Sequence, residues 1–75
     1  MKEKSLPEQT RLTLRQFMEA RKLSHGMVAE RGHLHKTTVT RVLTGERRLS
    51  LDSLQGFALA LKCRPSDIIK AAERL

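Results

Sequence analysis

Apolar residues recur at spacings of three and four along most of the chain, which is the pattern of amphipathic helices. The first such segment runs to Arg21, and its inward positions are Leu14, Phe17 and Met18. Ser5 and Glu8 have the spacing of a capping box, and Pro7 suits the first turn of a helix. The sequence therefore predicts a first helix after Ser5, and we expect residues 1–5 to form a mobile N-terminus.

Two shorter helical segments follow in the middle of the chain. Ser24 can cap a second helix, and Gly32 interrupts its pattern soon afterwards. The inward positions of this second helix are Val28 and Ala29. The third segment has an apolar face of Val39, Val42 and Leu43 and an outer face of Lys36, Thr37, Thr40 and Arg41. Its β-branched residues favour strands by propensity, but the helical spacing and a stop at Gly45 predict a helix over residues 36–44.

The last third of the chain carries the clearest helical pattern. Ser50 can cap a fourth helix, and Asp52 in its first turn complements the helix dipole. The inward positions are Leu51, Leu54, Phe57, Ala58 and Leu61. Pro65 and Asp67 suit the start of a fifth helix. The inward stripe of that helix is Ile68, Ile69 and Ala72. Five short helices without a convincing strand predict an all-α fold.

Size and cysteine usage exclude several classes of protein. A length of 75 residues predicts one domain over residues 1–75, with little room for an enclosed active site. The single Cys63 cannot form an intrachain disulfide, so we expect a packing role for it and a reducing, cytoplasmic location. No apolar run is long enough to span a membrane, and His33 and His35 lack further metal ligands nearby. We therefore expect no enzyme, catalytic residue, cofactor, metal or membrane contact.

The charge balance points to a polyanionic partner. Fifteen Lys and Arg against eight Asp and Glu give a net charge of +7. Residues 36–48 alone carry +3, as much as residues 1–35. Two Phe and no Tyr or Trp leave few aromatic platforms for stacking on single strands, so double-stranded DNA is the favoured partner.

The outer face of the third helix carries side chains that can read base edges. Lys36 and Arg41 can pair with guanine acceptors. Thr37 and Thr40 can donate a hydrogen bond, accept one or touch a thymine methyl. The alternative is a solvated face without a partner, but the concentration of positive charge in residues 36–48 favours DNA reading.

A family resemblance is carried by Leu23-Ser24, Val28-Ala29-Glu30, Leu34, the run from Lys36 to Val42, and Gly45. These residues resemble the helix-turn-helix of phage repressor and Cro-like regulators, a lambda-repressor-like family. The resemblance covers residues 12–70 and implies five helices, with the helix-turn-helix at the second and third. The chain departs from the family at Gly32-His33, where a Leu and then a turn Gly are usual, and at His35, where Ser or Thr usually caps the recognition helix. A turn that begins one residue early, or one filled by Leu34, would accommodate the first departure.

The resemblance also implies which side chains contact phosphates. The position of His25, at the start of the second helix, approaches a backbone phosphate in this family, as does the loop after the third helix. With Arg15 and His35 added as further contacts, the expected phosphate-binding residues are His25, Thr44, Arg47, Arg48, Arg15 and His35.

Together these observations predict a sequence-specific transcriptional regulator of phage or prokaryotic type, a repressor that binds an operator. Because one small domain contacts few base pairs, we expect a homodimer. The expected dimer surface on the last helix is Ile68, Ile69, Ala72 and Leu75, unless these residues simply close the core. Two alternatives stay open: a protein-binding module, such as the autoregulating antitoxin of a toxin–antitoxin pair, and a non-specific packaging protein.

Overall fold

The computed structural model describes residues 5–75, and in that range the chain forms five α-helices. They are α1 (Leu6–Ala20), α2 (His25–Gly32), α3 (Lys36–Thr44), α4 (Leu51–Leu61) and α5 (Pro65–Glu73). The predicted all-α fold is confirmed. Of the expected mobile N-terminus, residues 1–4 lie outside the described residues, and Ser5 is the residue that precedes α1.

Serine side chains begin two of the helices, as their positions in the sequence predict. The Ser24 hydroxyl accepts from the Met27 backbone N–H at 3.2 Å, and the Ser50 hydroxyl accepts from that of Ser53 at 3.0 Å. The capping box predicted from Ser5 and Glu8 is wrong, because the Ser5 side chain makes no capping hydrogen bond. Pro7 in the first turn is sufficient to mark that helix start.

Three helices are followed, within two residues of their last residue, by a left-handed residue that is not glycine. Lys22, His33 and Lys62 have φ angles of 54°, 55° and 57°. In each case the next backbone N–H donates to the carbonyl five residues earlier, namely Leu23 to Met18, Leu34 to Ala29 and Cys63 to Ala58. Each of these following residues is half-buried and packs against the core. At the ends of α1, α2 and α4, an apolar residue that packs on the core thus follows the left-handed residue.

Gly32 has a different role from the one predicted for it. It is the last residue of α2 rather than the break in the pattern, and the left-handed residue is His33. A Cβ at Gly32 would overlap the Gly56 carbonyl group of α4, and one at Gly56 would lie 2.7 Å from the Leu34 Cγ. The two glycines therefore allow α2 and α4 to approach closely, and half-buried Leu34 fills the turn beside them.

The core receives side chains from every helix. Its fully buried large residues include Leu14, Val28, Val39, Leu43, Phe57, Leu61 and Ile68. α5 packs against α1, and the Gln9 side chain donates to the Leu75 carbonyl at 3.3 Å. Ile68 and Ala72 are both 0% exposed and close the core, so these two residues are unavailable for the dimer surface expected of them.

Leu51 is exposed although it was predicted to be buried, whereas Cys63 packs against the core as predicted. Leu51 was expected to face inward but is 84% exposed, because it stands at the first residue of α4 where no other helix covers it. Cys63 is half-buried and packs against the core, as predicted. Burial raises the pKa of the Cys63 thiol above its ordinary value, against the opposing effect of the Arg21 charge. The thiol is therefore held in its protonated, unreactive form.

Candidate nucleic-acid interface

α3 has one buried face and one open face. Val39, Val42 and Leu43 are buried and fix the helix on the core. Thr37, Arg41 and Thr44 lie at spacings of four and three on the opposite side and are all exposed. Because Gly45 follows at a φ of 87°, the helix stops there and the chain turns back into a loop.

The four residues expected to read bases line one shallow depression on this open face. They are Lys36, Thr37, Thr40 and Arg41, and the fifth residue lining the depression is Glu46 from the loop. Lys36, Thr37 and Arg41 are exposed, while Thr40 is half-buried. The surface thus combines two cations and two hydroxyls with one carboxylate, a mixture that can form hydrogen bonds with base edges.

Thr40 is held by a contact that links α2 to α3. The His25 Nδ1 and the Thr40 Oγ1 are 3.0 Å apart, which joins the first residue of α2 to the middle of α3. When Nδ1 accepts from this hydroxyl, the neutral ring carries its proton on Nε2, which can then donate to a phosphate oxygen. His25 can therefore orient α3 and bind a phosphate at the same time.

A second basic group lies beside His25. Arg15 of α1 and His25 line the same depression between α1, the start of α2 and the end of α3. The Arg15 guanidinium donates to the Leu43 carbonyl at 3.3 Å, which satisfies one carbonyl near the end of α3 and holds the arginine in place. This flank of α3 therefore presents two cationic or hydrogen-donating groups, with exposed Glu19 at its margin.

The opposite flank of α3 is built from the turn before the helix and the loop after it. His35, Arg47 and Arg48 line a common depression that also includes the start of α4. The Arg47 guanidinium donates to the Thr38 hydroxyl at 3.2 Å, so this arginine lies along the side of α3. His35 precedes α3 without a side-chain capping bond, as expected for a weak acceptor.

Thr44 stands apart from these two flanks. It is exposed at the last residue of α3, and its hydroxyl donates to the Arg41 carbonyl at 3.1 Å. It lies on the same stripe as Thr37 and Arg41 but at the far end of the helix. Thr44 does not line the depression that the four expected base readers share, and its contact with a phosphate stays a prediction.

Sequence reasoning missed three residues of this surface. The place of Glu46 could have been predicted from the sequence, because it follows the glycine that ends α3 and the loop must turn back there. Thr38 was left out although it shares α3 with the other threonines and binds Arg47. Arg11 has no local signal: it comes from α1, and a Cβ at Gly45 would lie 3.0 Å from its Nη1 atom. Only the packing of α1 on α3 brings this arginine to the loop.

Neither a metal site nor a membrane span is found among residues 5–75. No three His, Cys, Asp or Glu side chains in that range are grouped so that they could hold a metal ion. No helix within the same range combines the length and the apolar character that crossing a bilayer requires.

Comparison with known proteins gives one family. The sequence model of the Cro/C1-type HTH DNA-binding domain matches residues 13–73. The matched range begins within α1, contains α2 and α3 whole, and ends at the last residue of α5. Neither a curated protein nor a solved structure gives a significant match.

Proposed function

The chain belongs to the Cro/C1-type HTH DNA-binding family, and from this premise we propose that it is a repressor that binds an operator sequence in double-stranded DNA. It acts by binding rather than by catalysis. The observation that carries the proposal is the depression on α3, where the four expected base readers lie together between two basic flanks. A regulator of this kind works by occupying DNA that the transcription machinery needs.

In this proposal the open face of α3 enters the major groove. Lys36 and Arg41 pair with guanine O6 and N7, and Thr37 reads a neighbouring base through its hydroxyl or methyl group. Thr40 keeps its hydrogen bond to His25 and offers its methyl group to a thymine. Two observations support these roles. Lys36, Thr37 and Arg41 are exposed, and together with Thr40 they line one depression.

Phosphate contacts fix the position of the helix in the groove. Arg15 and His25 bind the backbone on one side of α3, and His35, Arg47 and Arg48 bind it on the other. Thr44 adds a contact at the end of the helix. The support is the arrangement of these groups on opposite flanks of α3, which matches the two backbones that border a major groove.

The length of α3 calls for two copies of the domain on DNA. Nine helical residues span about 14 Å, or about four base pairs, which is too short a sequence for a unique operator. A second copy one helical turn away, about 34 Å, doubles the sequence that is read. We therefore propose a homodimer that binds an inverted repeat.

Because Ile68 and Ala72 are buried in the core, the apolar surface that is left for a dimer contact lies around Ile69. Half-buried Ile69 lines an apolar depression with Leu6, Leu51 and Leu54. Leu51 and Leu6 are exposed there, so covering them removes apolar surface from water. We propose that a second copy covers this depression, with Leu75 as a further contact at the end of α5.

The test is selection of bound duplexes from a random-sequence pool at near-physiological salt. The expected result is an enriched inverted repeat with half-site centres about ten base pairs apart. The mass of the complex on that duplex should correspond to two chains. Binding that depends strongly on salt but enriches no motif would contradict the proposal, because phosphate contacts alone would then account for the affinity.

A further inference from the structure

The strongest feature outside these roles is an acidic side chain on the DNA-binding surface. Glu46 follows the left-handed Gly45 at the end of α3. The backbone N–H of Gly45 donates to the Val42 carbonyl at 3.2 Å and that of Arg47 to the Arg41 carbonyl at 3.1 Å, so backbone hydrogen bonds hold the loop to α3 on both sides of Glu46. The carboxylate consequently lines the same depression as Thr37 and Arg41.

In the part of the chain that the structure describes, Glu46 forms no ion pair, although Lys36 and Arg41 line the same depression. Within the described residues the ion pair with an N···O distance below 4 Å joins Arg11 and Glu8, and Glu46 takes part in none. Glu46 is exposed, and it is the only acidic residue in the segment 36–48. A negative charge on this surface opposes binding to phosphates on any sequence, and a hydrogen-bond donor on the correct sequence would offset that cost.

We propose that Glu46 is a specificity-determining residue that accepts a hydrogen bond from the N4 amino group of a cytosine in the major groove. Carboxylates read this donor, and among the base edges of the major groove only cytosine N4 and adenine N6 donate. Because Arg41 shares the depression, the cytosine belongs to the base pair read by Arg41 or to a neighbouring one. On other sequences the carboxylate meets acceptors and phosphates and weakens the complex.

This inference rests on the proposed function, since it assumes that α3 lies in the major groove of an operator. Its experiment compares Glu46→Gln with Glu73→Gln, which makes the same change of net charge at the exposed end of α5. Duplex selection is repeated with each variant, and dissociation constants are measured on the wild-type operator and on a random duplex. Circular dichroism and thermal unfolding check that both variants keep the fold.

With Glu46→Gln we expect the preference for cytosine at one position of each half-site to fall by about tenfold and to shift towards adenine, which glutamine pairs at N6 and N7. Binding to random duplexes should become tighter. Glu73→Gln should leave every position unchanged. An unchanged motif with Glu46→Gln, or equal effects of both variants, would overturn the inference alone. A wild-type protein that enriches no motif would overturn the proposed function and this inference with it.

Discussion

At the scale of single residues, Arg41 and Arg47 differ in their surroundings although both lie near the end of α3. Arg41 is exposed and shares its depression with the other expected base readers. Arg47 lies along one side of the helix, with its guanidinium bound to Thr38 and its side chain beside Arg48. The first position suits a base edge and the second suits a phosphate, and substitution can distinguish these roles.

Arg41→Ala is expected to weaken binding to the operator by about 1 to 3 kcal/mol and to relax the preference at one base position. Arg47→Ala should weaken binding to all sequences alike. It should also lower the number of counterions released on binding by about one, which is read from the slope of affinity against salt concentration. Titration of operator and random duplexes at several salt concentrations measures both effects. Arg74→Ala, at the exposed residue that follows α5, is the control for loss of charge. Equal losses on operator and random DNA for Arg41→Ala would refute its base-reading role.

At the scale of secondary structure, the contact between α2 and α4 depends on two glycines. A Cβ at Gly56 would lie 2.7 Å from the Leu34 Cγ and 2.8 Å from the Gly32 carbonyl oxygen. Because one of these atoms belongs to the backbone, the strain can be relieved only by moving the helices apart. Leu34 lies two residues before α3, so a displaced α2 or α4 is expected to change the angle of α3 as well.

Gly56→Ala is therefore expected to lower the free energy of unfolding by about 1 to 3 kcal/mol, measured by urea denaturation. Gly26→Ala is a matched control, because a Cβ there meets only the Ser24 hydroxyl, at 4.0 Å. This second substitution should raise stability by about 0.5 to 1 kcal/mol, since alanine is the better helix former. A Gly56→Ala variant as stable as the wild type would show that α2 and α4 do not need their close approach.

At the left-handed residue that ends α4, replacement by glycine is expected to stabilise the fold, whereas glycine inside a helix destabilises it. Lys62 has a φ of 57°, a conformation that costs a residue with a Cβ more than it costs glycine. Lys62→Gly should raise the free energy of unfolding by about 0.5 to 1 kcal/mol, after allowance for the greater freedom of glycine in the unfolded chain. Lys70→Gly in the interior of α5 should lower it by about 1 kcal/mol. Thermal or urea unfolding of both variants checks the sign, and a loss of stability with Lys62→Gly would contradict the argument.

The same elements show how far sequence patterns reach. Gly45, Ser50 and Pro65 mark helix boundaries by local chemistry, and all three boundaries agree with the structure. The role of Gly32 could not be predicted, because its need for a missing Cβ comes from a helix far away in the sequence. Leu51 fits the helical repeat of α4 as well as Leu54 does, but Leu54 is buried whereas Leu51, at the first residue of the helix, is 84% exposed. In the site, α3 was predictable because its residues are consecutive, whereas Arg11 reaches the loop only through tertiary packing.

At the scale of the whole molecule, the apolar depression around Ile69 is partly exposed to solvent through Leu6 and Leu51. Leu51 is 84% exposed in a single chain, so it contributes little to the core of its own domain. If a second copy covers it, its substitution should affect association without affecting folding. The exposed Leu59 of the same helix does not line this depression and provides the comparison.

Leu51→Ser is expected to weaken self-association, or cooperative binding to two half-sites, by about tenfold while the unfolding temperature stays close to that of the wild type. Leu59→Ser should leave association unchanged. Sedimentation equilibrium, with and without operator DNA, measures the stoichiometry of each protein. Two wild-type chains on the operator with undiminished cooperativity in Leu51→Ser would place the dimer contact elsewhere on the surface.

The packing of α5 on α1 has a consequence for synthesis of the chain. Leu14 emerges from a ribosome early, but Ile68 and Ala72, which close the same core, emerge last among the buried residues. At typical rates of translation about 2 to 10 s separate the end of α1 from Ile68. During that interval the nascent chain holds an incomplete core with apolar surface in water. Folding of this domain is therefore completed after nearly all of it has been translated, rather than helix by helix as the chain grows.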